Sequence, residues 1–377
     1  MSAQRKPLSD LALLFLKLGI IGFGGPAVHI ALIEEEVVKK RKWMQQQHFL
    51  DLVGATNLIP GPNSTELSMH IGRERAGWPG LVVAGCCFIV PAVLITGFIA
   101  WLYQQYGQLP QVQPFVYGIK PAIVAVIVAL MISLGRKALK NVELGILGAL
   151  AAIASLAGIN EIIVLFTGGA AGVLLYFIKN KRNSAAGVVP FALLQITNPV
   201  ADISNTNLFF TFLKIGSILY GSGYVLFAFI DAELVNKGLL SKQQLADAIA
   251  VGQFTPGPVF SSATFIGWQL GGISGAAAAT IGIFLPSFIF VALLNPLIPL
   301  LRKSRPMSAF LDAVNIVSIA IILAIAVEIG KTSILDLRSA IIAVLGFVVT
   351  FWFKKINTAW IILGGAMLGF LLTFFEA

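Results

Sequence analysis

Apolar residues along this chain come in long blocks. The clearest cover 81–103, 119–134, 162–178, 276–294, 314–329 and 360–375. A helix needs roughly 20 apolar residues to cross the hydrocarbon layer, so these blocks with their flanks predict membrane-crossing helices. Other apolar stretches are interrupted. Gly19-Ile20-Ile21-Gly22-Phe23-Gly24-Gly25-Pro26 breaks the first, and Ile59-Pro60-Gly61-Pro62 breaks the second. Inside a helix glycine costs about 1 kcal/mol and proline about 3 kcal/mol. Both stretches, 11–32 and 49–71, therefore predict hairpins of two half-helices around a break, each entering and leaving on one side.

The pattern then repeats. Phe15-Leu16-Lys17-Leu18-Gly19 returns as Phe212-Leu213-Lys214-Ile215-Gly216, and Pro60-Gly61-Pro62 as Pro256-Gly257-Pro258. Asp51 aligns with Asp247, Gly72 with Gly267, Gly80 with Gly275 and Pro91 with Pro286, at offsets of 195 to 197 residues. The expected organisation is a first repeat over 1–182, a linker over 183–206 and a second repeat over 207–377. Matching interruptions in two halves of an apolar chain point to a transporter with its site between the repeats.

Composition agrees with the blocks. Hydrophobic residues make up 57% of the 377 and charged residues 11%, against about 25% charge in a soluble domain. The net charge of +9 is not a nucleic-acid footprint, because the basic residues sit in short clusters between apolar runs and set topology. Loops basic in one half tend to be uncharged in the other. The positive-inside rule then predicts inverted repeats. The fold class is an all-α integral membrane protein, each half having broken or re-entrant hairpins plus about four transmembrane helices. Inversion also requires an odd number of crossings between corresponding points. Either the linker crosses, or one broken segment crosses completely.

The breaks carry the candidate chemistry. Backbone that is not helical at membrane depth survives only where protein or water satisfies it. A half-helix that starts there offers free N–H groups to an anion. Candidate ligands in the first half are Gly24, Gly25, Asn63, Ser64 and Thr65. In the second they are Gly221, Ser222, Gly223, Ser261 and Ser262. The plainer alternative is that the hydroxyls only cap kinked helices. Lys17 and Lys214, each in an apolar segment at the same repeat position, would add positive charge, or else snorkel to the interface. Glu34, Glu66 and Asp231 are candidate proton carriers, and Glu66 has no acidic counterpart in the second half. His29 and His70 titrate near neutral pH when free, although a lone histidine is more often structural. Adjacent Cys86 and Cys87 diverge on a helix and make neither a disulfide nor a metal site. No cofactor, metal site or catalytic constellation is expected, so the chain does not read as an enzyme.

The combination of Phe15–Gly19, Gly22–Pro26, Glu34-Glu35-Glu36, Trp43, Asn57-Leu58-Ile59-Pro60-Gly61-Pro62 and Ile71-Gly72 resembles the chromate ion transporter family. Phe212–Gly223, Gln253-Phe254-Thr255-Pro256-Gly257-Pro258 and Ile266-Gly267 resemble the same domain again. The resemblance implies the fused two-domain form, with oppositely oriented halves, in a prokaryotic plasma (inner) membrane. It also implies chromate export from the cytoplasm, sulfate being the chemical analogue. The expected partners are an oxyanion, membrane lipid and, as a further option, a second copy in a homodimer; nucleic acid is not one. Exchange of sulfate or another anion, an anion channel, and a non-transporting membrane enzyme or scaffold stay open as alternatives.

Overall fold

The computed structural model describes residues 5–107, 109–180, 204–220, 223, 225–294, 305–353 and 356–374. These residues are helical, with no strand among them. The first repeat contributes α1 (Arg5–Ile21), α2 (Pro26–Glu34), α3 (Gln46–Thr56), α4 (Asn63–Tyr106), α5 (Gln113–Ala138), α6 (Val142–Leu156) and α7 (Glu161–Asn180). The second contributes α8 (Asn205–Ile218), α9 (Val225–Ile230), α10 (Lys242–Phe254), α11 (Ser262–Leu294), α12 (Arg305–Ser333), α13 (Leu337–Trp352) and α14 (Thr358–Phe374). A π-helical turn follows α2 at Glu35–Lys40, and another follows α9 at Asp231–Val235. Five stretches are long and apolar enough to cross a membrane, and α6, α13 and α14 are shorter apolar helices. Most of the expected linker, 183–203, lies outside the described residues, as does any crossing it makes; α8 already begins at Asn205.

The 44 residues of α4 would reach about 66 Å if straight. They do not run straight. Ala76 (φ −144°, ψ 23°) and Gly77 (φ 64°, ψ −149°) fold the chain back, the second in a region open almost only to glycine. After the turn, Gly80 lies against Gly72, and Gly85 reaches the Met69 side chain. Residues 63–75 and 78–106 thus form a hairpin closed on glycine. The second repeat does the same in α11 at Gly271 (φ −144°, ψ 19°) and Gly272 (φ 62°, ψ −152°), where Gly275 lies against Gly267. Small residues at such crossings let backbones approach without side chains between them.

The hairpin α1–α2 packs on α4 through Gly19, which faces the carbonyls of Cys87 and Phe88. Its counterpart α8 packs on α11 through Gly216, which faces the Ile283 carbonyl. The later helices are exchanged between repeats. α5 packs against α13 and α14, while α12 packs against α6 and α7. Gly118 meets Gly365 and Gly369 in one of these contacts, and Gly172 meets Ala309 and Ala313 in the other.

The two hairpins α4 and α11 also meet directly. Arg73, beside the α4 turn, donates to the carbonyls of Val291 (2.9 Å) and Ala292 (2.6 Å) near the end of α11. Trp268 and Gln269, beside the α11 turn, donate to Gln104 Oε1 (2.8 Å) and the Ala100 carbonyl (3.3 Å) near the end of α4. Each turn therefore lies beside the far end of the other hairpin.

Candidate functional site

The four breaks converge. Between α1 and α2, Gly24 and Gly25 take φ of 108° and 82°. Before α4, Gly61 takes φ of 137°, and after α10, Gly257 takes 87°. The Gly61 amide donates across the repeats to the Leu219 carbonyl at 2.9 Å. The Gly257 amide donates in return to the Gly22 carbonyl at 2.8 Å. Leu219 and Gly22 are themselves repeat equivalents. Each Pro-Gly-Pro segment is thus tied to the glycine-rich break of the other half. Proline removes amide donors on both sides of the glycine, so the glycine N–H is the one left to make this bond.

Two helices open at this junction without a side-chain cap. Gly25 precedes α2, which has Pro26 in its first turn, and Pro62 precedes α4. A first turn without a cap keeps N–H groups and positive partial charge free for a ligand. On α4, Thr65 and Glu66 direct their amides to the Pro62 carbonyl. Asn63 is partly buried and donates to Asn57 Oδ1 at 2.6 Å. Ser64 is buried 3.2 Å from His29 Nδ1. Thr65 and Glu66 are fully buried, and neither the Thr65 hydroxyl nor either Glu66 oxygen has a hydrogen-bond partner among the described residues. The Glu66 carboxyl lies with the Ser287 hydroxyl against Gly61.

In the second half, Ser261 Oγ accepts from Thr96 Oγ1 at 3.2 Å, a contact between the 3-10 turn at Val259–Ser261, just before α11, and α4. Ser262 donates to the Val259 carbonyl at 2.8 Å and so closes its own turn. Gly223 sits opposite Pro26 and Phe260, which brings the two glycine-rich breaks together. Gly221 and Ser222 lie outside the described residues.

The remaining sequence candidates sit elsewhere. Lys17 is bonded to Glu36 at 2.9 Å, and Lys214 to Glu233 at 2.6 Å. Glu36 also faces Lys40 and Arg41, and Glu233 faces Lys237 at 2.7 Å. Each lysine thus turns to the π-helical turn that follows its own break. Glu34 accepts from Gln46 at 3.1 Å. Asp231 is buried near the Lys242–Glu328 ion pair and Glu161. Of the three candidate proton carriers, Glu66 is the one placed among the breaks.

Four further groups at the junction are not among the candidate site residues read from the sequence. His29 is 1% exposed and bonds Gly22 and Ser64. Ser287 and Gln253 are buried, with Oγ and Nε2 lacking partners among the described residues. Tyr220 follows Leu219 directly, within electrostatic reach of Glu66. Two had a signal in the repeat: Gln253 aligns with Asn57, and Ser287 follows Pro286, the partner of Pro91. His29 had none, because Leu226 stands at its counterpart.

Spanning helices in two repeats, with broken segments meeting between them, define a multi-pass membrane transporter rather than an enzyme. The chromate transporter family model matches residues 9–173 and matches again over 206–370. The chain belongs to the chromate transporter family, in its two-domain form. It is 28% identical to the chromate transport protein of Cupriavidus metallidurans, over 98% of this chain and 94% of that protein. It is 29% identical to the probable chromate transport protein of Synechococcus elongatus, over 90% and 89%. The uncharacterized transporter YwrA of Bacillus subtilis is 26% identical over 35% of this chain and 74% of its own length. No solved structure matches the chain.

Proposed function

We propose that this protein is a secondary active transporter that exports chromate, or a related tetrahedral oxyanion, across the prokaryotic plasma membrane. The observation that carries this reading is the crossed pair of backbone bonds, Gly61 to Leu219 and Gly257 to Gly22. It ties all four breaks into one junction between the repeats. Names of relatives that cover nearly the whole chain supply the substrate.

The repeats are inverted in this proposal. Two features support it: each hairpin turn lies beside the far end of the other hairpin, and loops basic in the sequence of one half tend to be uncharged at the equivalent position of the other. The anion binds where α2 and α4 open, held by the backbone at Gly24 and Gly25 and by Asn63, Ser64 and Thr65. Gly223, Ser261 and Ser262 close it from the second half. Lys17 and Lys214 contribute positive charge at the edge, each balancing a glutamate. Glu66, buried without a cation beside it among the described residues, carries the coupled proton. An inside-negative potential favours exit of a dianion. At about 100 mV, two charges are worth roughly 4.6 kcal/mol.

The test is chromate flux from proteoliposomes under a clamped potential. Export should continue against a chromate gradient. Flux of sulfate without chromate would move the substrate assignment to sulfate. Flux that never exceeds the electrochemical gradient would make the protein a channel, and no oxyanion flux at all would sink the reading.

A further inference from the structure

We infer that His29 is a positioning residue that links proton uptake to oxyanion binding, by switching the hydrogen bond of Ser64. The inference rests on the oxyanion site proposed above. It starts from two contacts made by one buried imidazole. Nε2 lies 2.8 Å from the Gly22 carbonyl, and Nδ1 lies 3.2 Å from Ser64 Oγ. A carbonyl only accepts, so Nε2 carries a hydrogen in every charge state of the ring. Nδ1 is therefore the atom that changes.

With the ring neutral, Nδ1 accepts, and the Ser64 hydroxyl donates to it. The hydroxyl hydrogen is then spent on histidine. With the ring protonated, Nδ1–H donates, and Ser64 Oγ accepts. Its own hydrogen must turn to another acceptor. Ser64 is the second residue of α4, beside the uncapped opening of that helix, so the freed hydrogen meets an anion bound there. The imidazolium adds a positive charge one side chain away from the same anion. Proton uptake and anion binding thus favour each other, and reciprocity follows from linkage.

The surroundings leave this switch to the imidazole. Phe88 of α4 packs edge-on against the ring, with centroids 5.4 Å apart. The elements packed against α2 carry other titratable groups, among them Asp10 of α1 and the buried His70 of α4. Most of the rest are engaged elsewhere, Arg73 with the Val291 carbonyl and Arg75 over Trp43. On α1, Lys17 is bonded to Glu36. On the π-helical turn, Glu35 pairs with Lys39, and Glu36 with Lys17, Lys40 and Arg41. On α4, Glu66 lies against Gly61 and Ser287, and Glu74 binds His48. From the other repeat, the group that reaches the Gly22 carbonyl is the uncharged Gly257 amide. The second half has no copy of the device, since Leu226 and Phe260 stand where the first half has His29 and Ser64.

The test uses the purified full-length chain, titrated with chromate in weakly buffered solution with a pH indicator, between about pH 6 and 8. The variants are His29→Gln, which keeps an Nε donor for Gly22, and Ser64→Ala, which keeps the imidazole. Chromate's own titration is common to all three proteins and cancels in the comparison. Wild type should take up close to one more proton per bound chromate than either variant. Its affinity should rise relative to theirs as pH falls, by up to about tenfold per pH unit. Uptake equal to wild type in either folded variant overturns the inference while leaving the oxyanion site standing. Wild-type protein that binds neither chromate nor sulfate at any of these pH values overturns the site and the inference together.

Discussion

The Gly61 amide and the Leu219 carbonyl, 158 positions apart in sequence, are joined by a 2.9 Å hydrogen bond. A side chain at Gly61 would strike the Glu66 carboxyl and the Ser287 hydroxyl, and at Gly257 it would strike Ala92. Both glycines have positive φ, which adds about 1–3 kcal/mol of strain for any other residue. Gly61→Ala and Gly257→Ala should each lower anion flux at least about tenfold, since 1.4 kcal/mol is a factor of ten. Flux in proteoliposomes checks this, with size-exclusion profiles to confirm folding. Wild-type flux in both would show that the junction is not part of the transport path.

Inversion can be read chemically. Trp78 and Ile273 follow the two hairpin turns at equivalent positions, and both are exposed. With Cys86 and Cys87 replaced by alanine, Trp78→Cys and Ile273→Cys should react with an impermeant thiol reagent from opposite faces of the membrane. Labelling of both from one face would refute inverted repeats.

The lysine–glutamate pairs are predicted to act through charge balance. The Lys17 side chain is 53% exposed and that of Lys214 is 30% exposed. Glu36 and Glu233 are only 10% and 9% exposed, but each keeps another cation, Lys40 and Arg41 in one half and Lys237 in the other, so neither Lys17→Ala nor Lys214→Ala should unfold the protein. Flux should fall in each and recover when Glu36→Gln or Glu233→Gln is added to the matching variant. A loss that the second substitution does not repair would make the lysine a direct anion ligand.

At the start of α13, Asp336 caps the helix through the Ser339 amide (2.7 Å) and accepts from Tyr117 of α5 (2.5 Å). These bonds hold its carboxyl down at about 2, the Ser339 amide contributing most. A depressed carboxyl stabilises the fold above the ordinary carboxylate range and loses that contribution as pH falls toward 2. Asp336→Ala should cost about 1 kcal/mol, the usual size of a cap, at neutral pH, and progressively less on acidification. Thermal unfolding in detergent across pH measures it. A pH-independent deficit would mean that the cap acts without its charge.

Much of this was legible in the sequence. The Gly-Pro interruptions placed the breaks after α1 and before α4, because no continuous helix tolerates them. The repeat offset located their counterparts in the second half. The hairpin turns at Gly77 and Gly272 were not foreseen, since a glycine there looks no different from one that merely lightens a helix. A single histidine such as His29 carries no pattern in sequence, and its meaning depends on Ser64, 35 residues on. Lys17 and Lys214 look solitary within their apolar segments, and the sequence does not say which basic residues Glu36 and Glu233 pair with; the 19-residue spacing that joins them is the same in both halves.

The exchange of the last helices has a consequence for biosynthesis. α5, α6 and α7 leave the ribosome well before α12, α13 and α14, against which they pack. Until those later helices insert, the small-residue faces at Gly118, Gly168 and Gly172 have only lipid for a neighbour. The first half therefore reaches its final packing only after synthesis of the second is nearly complete, and a chain truncated before α12 should be cleared by membrane proteases rather than persist as a half-molecule.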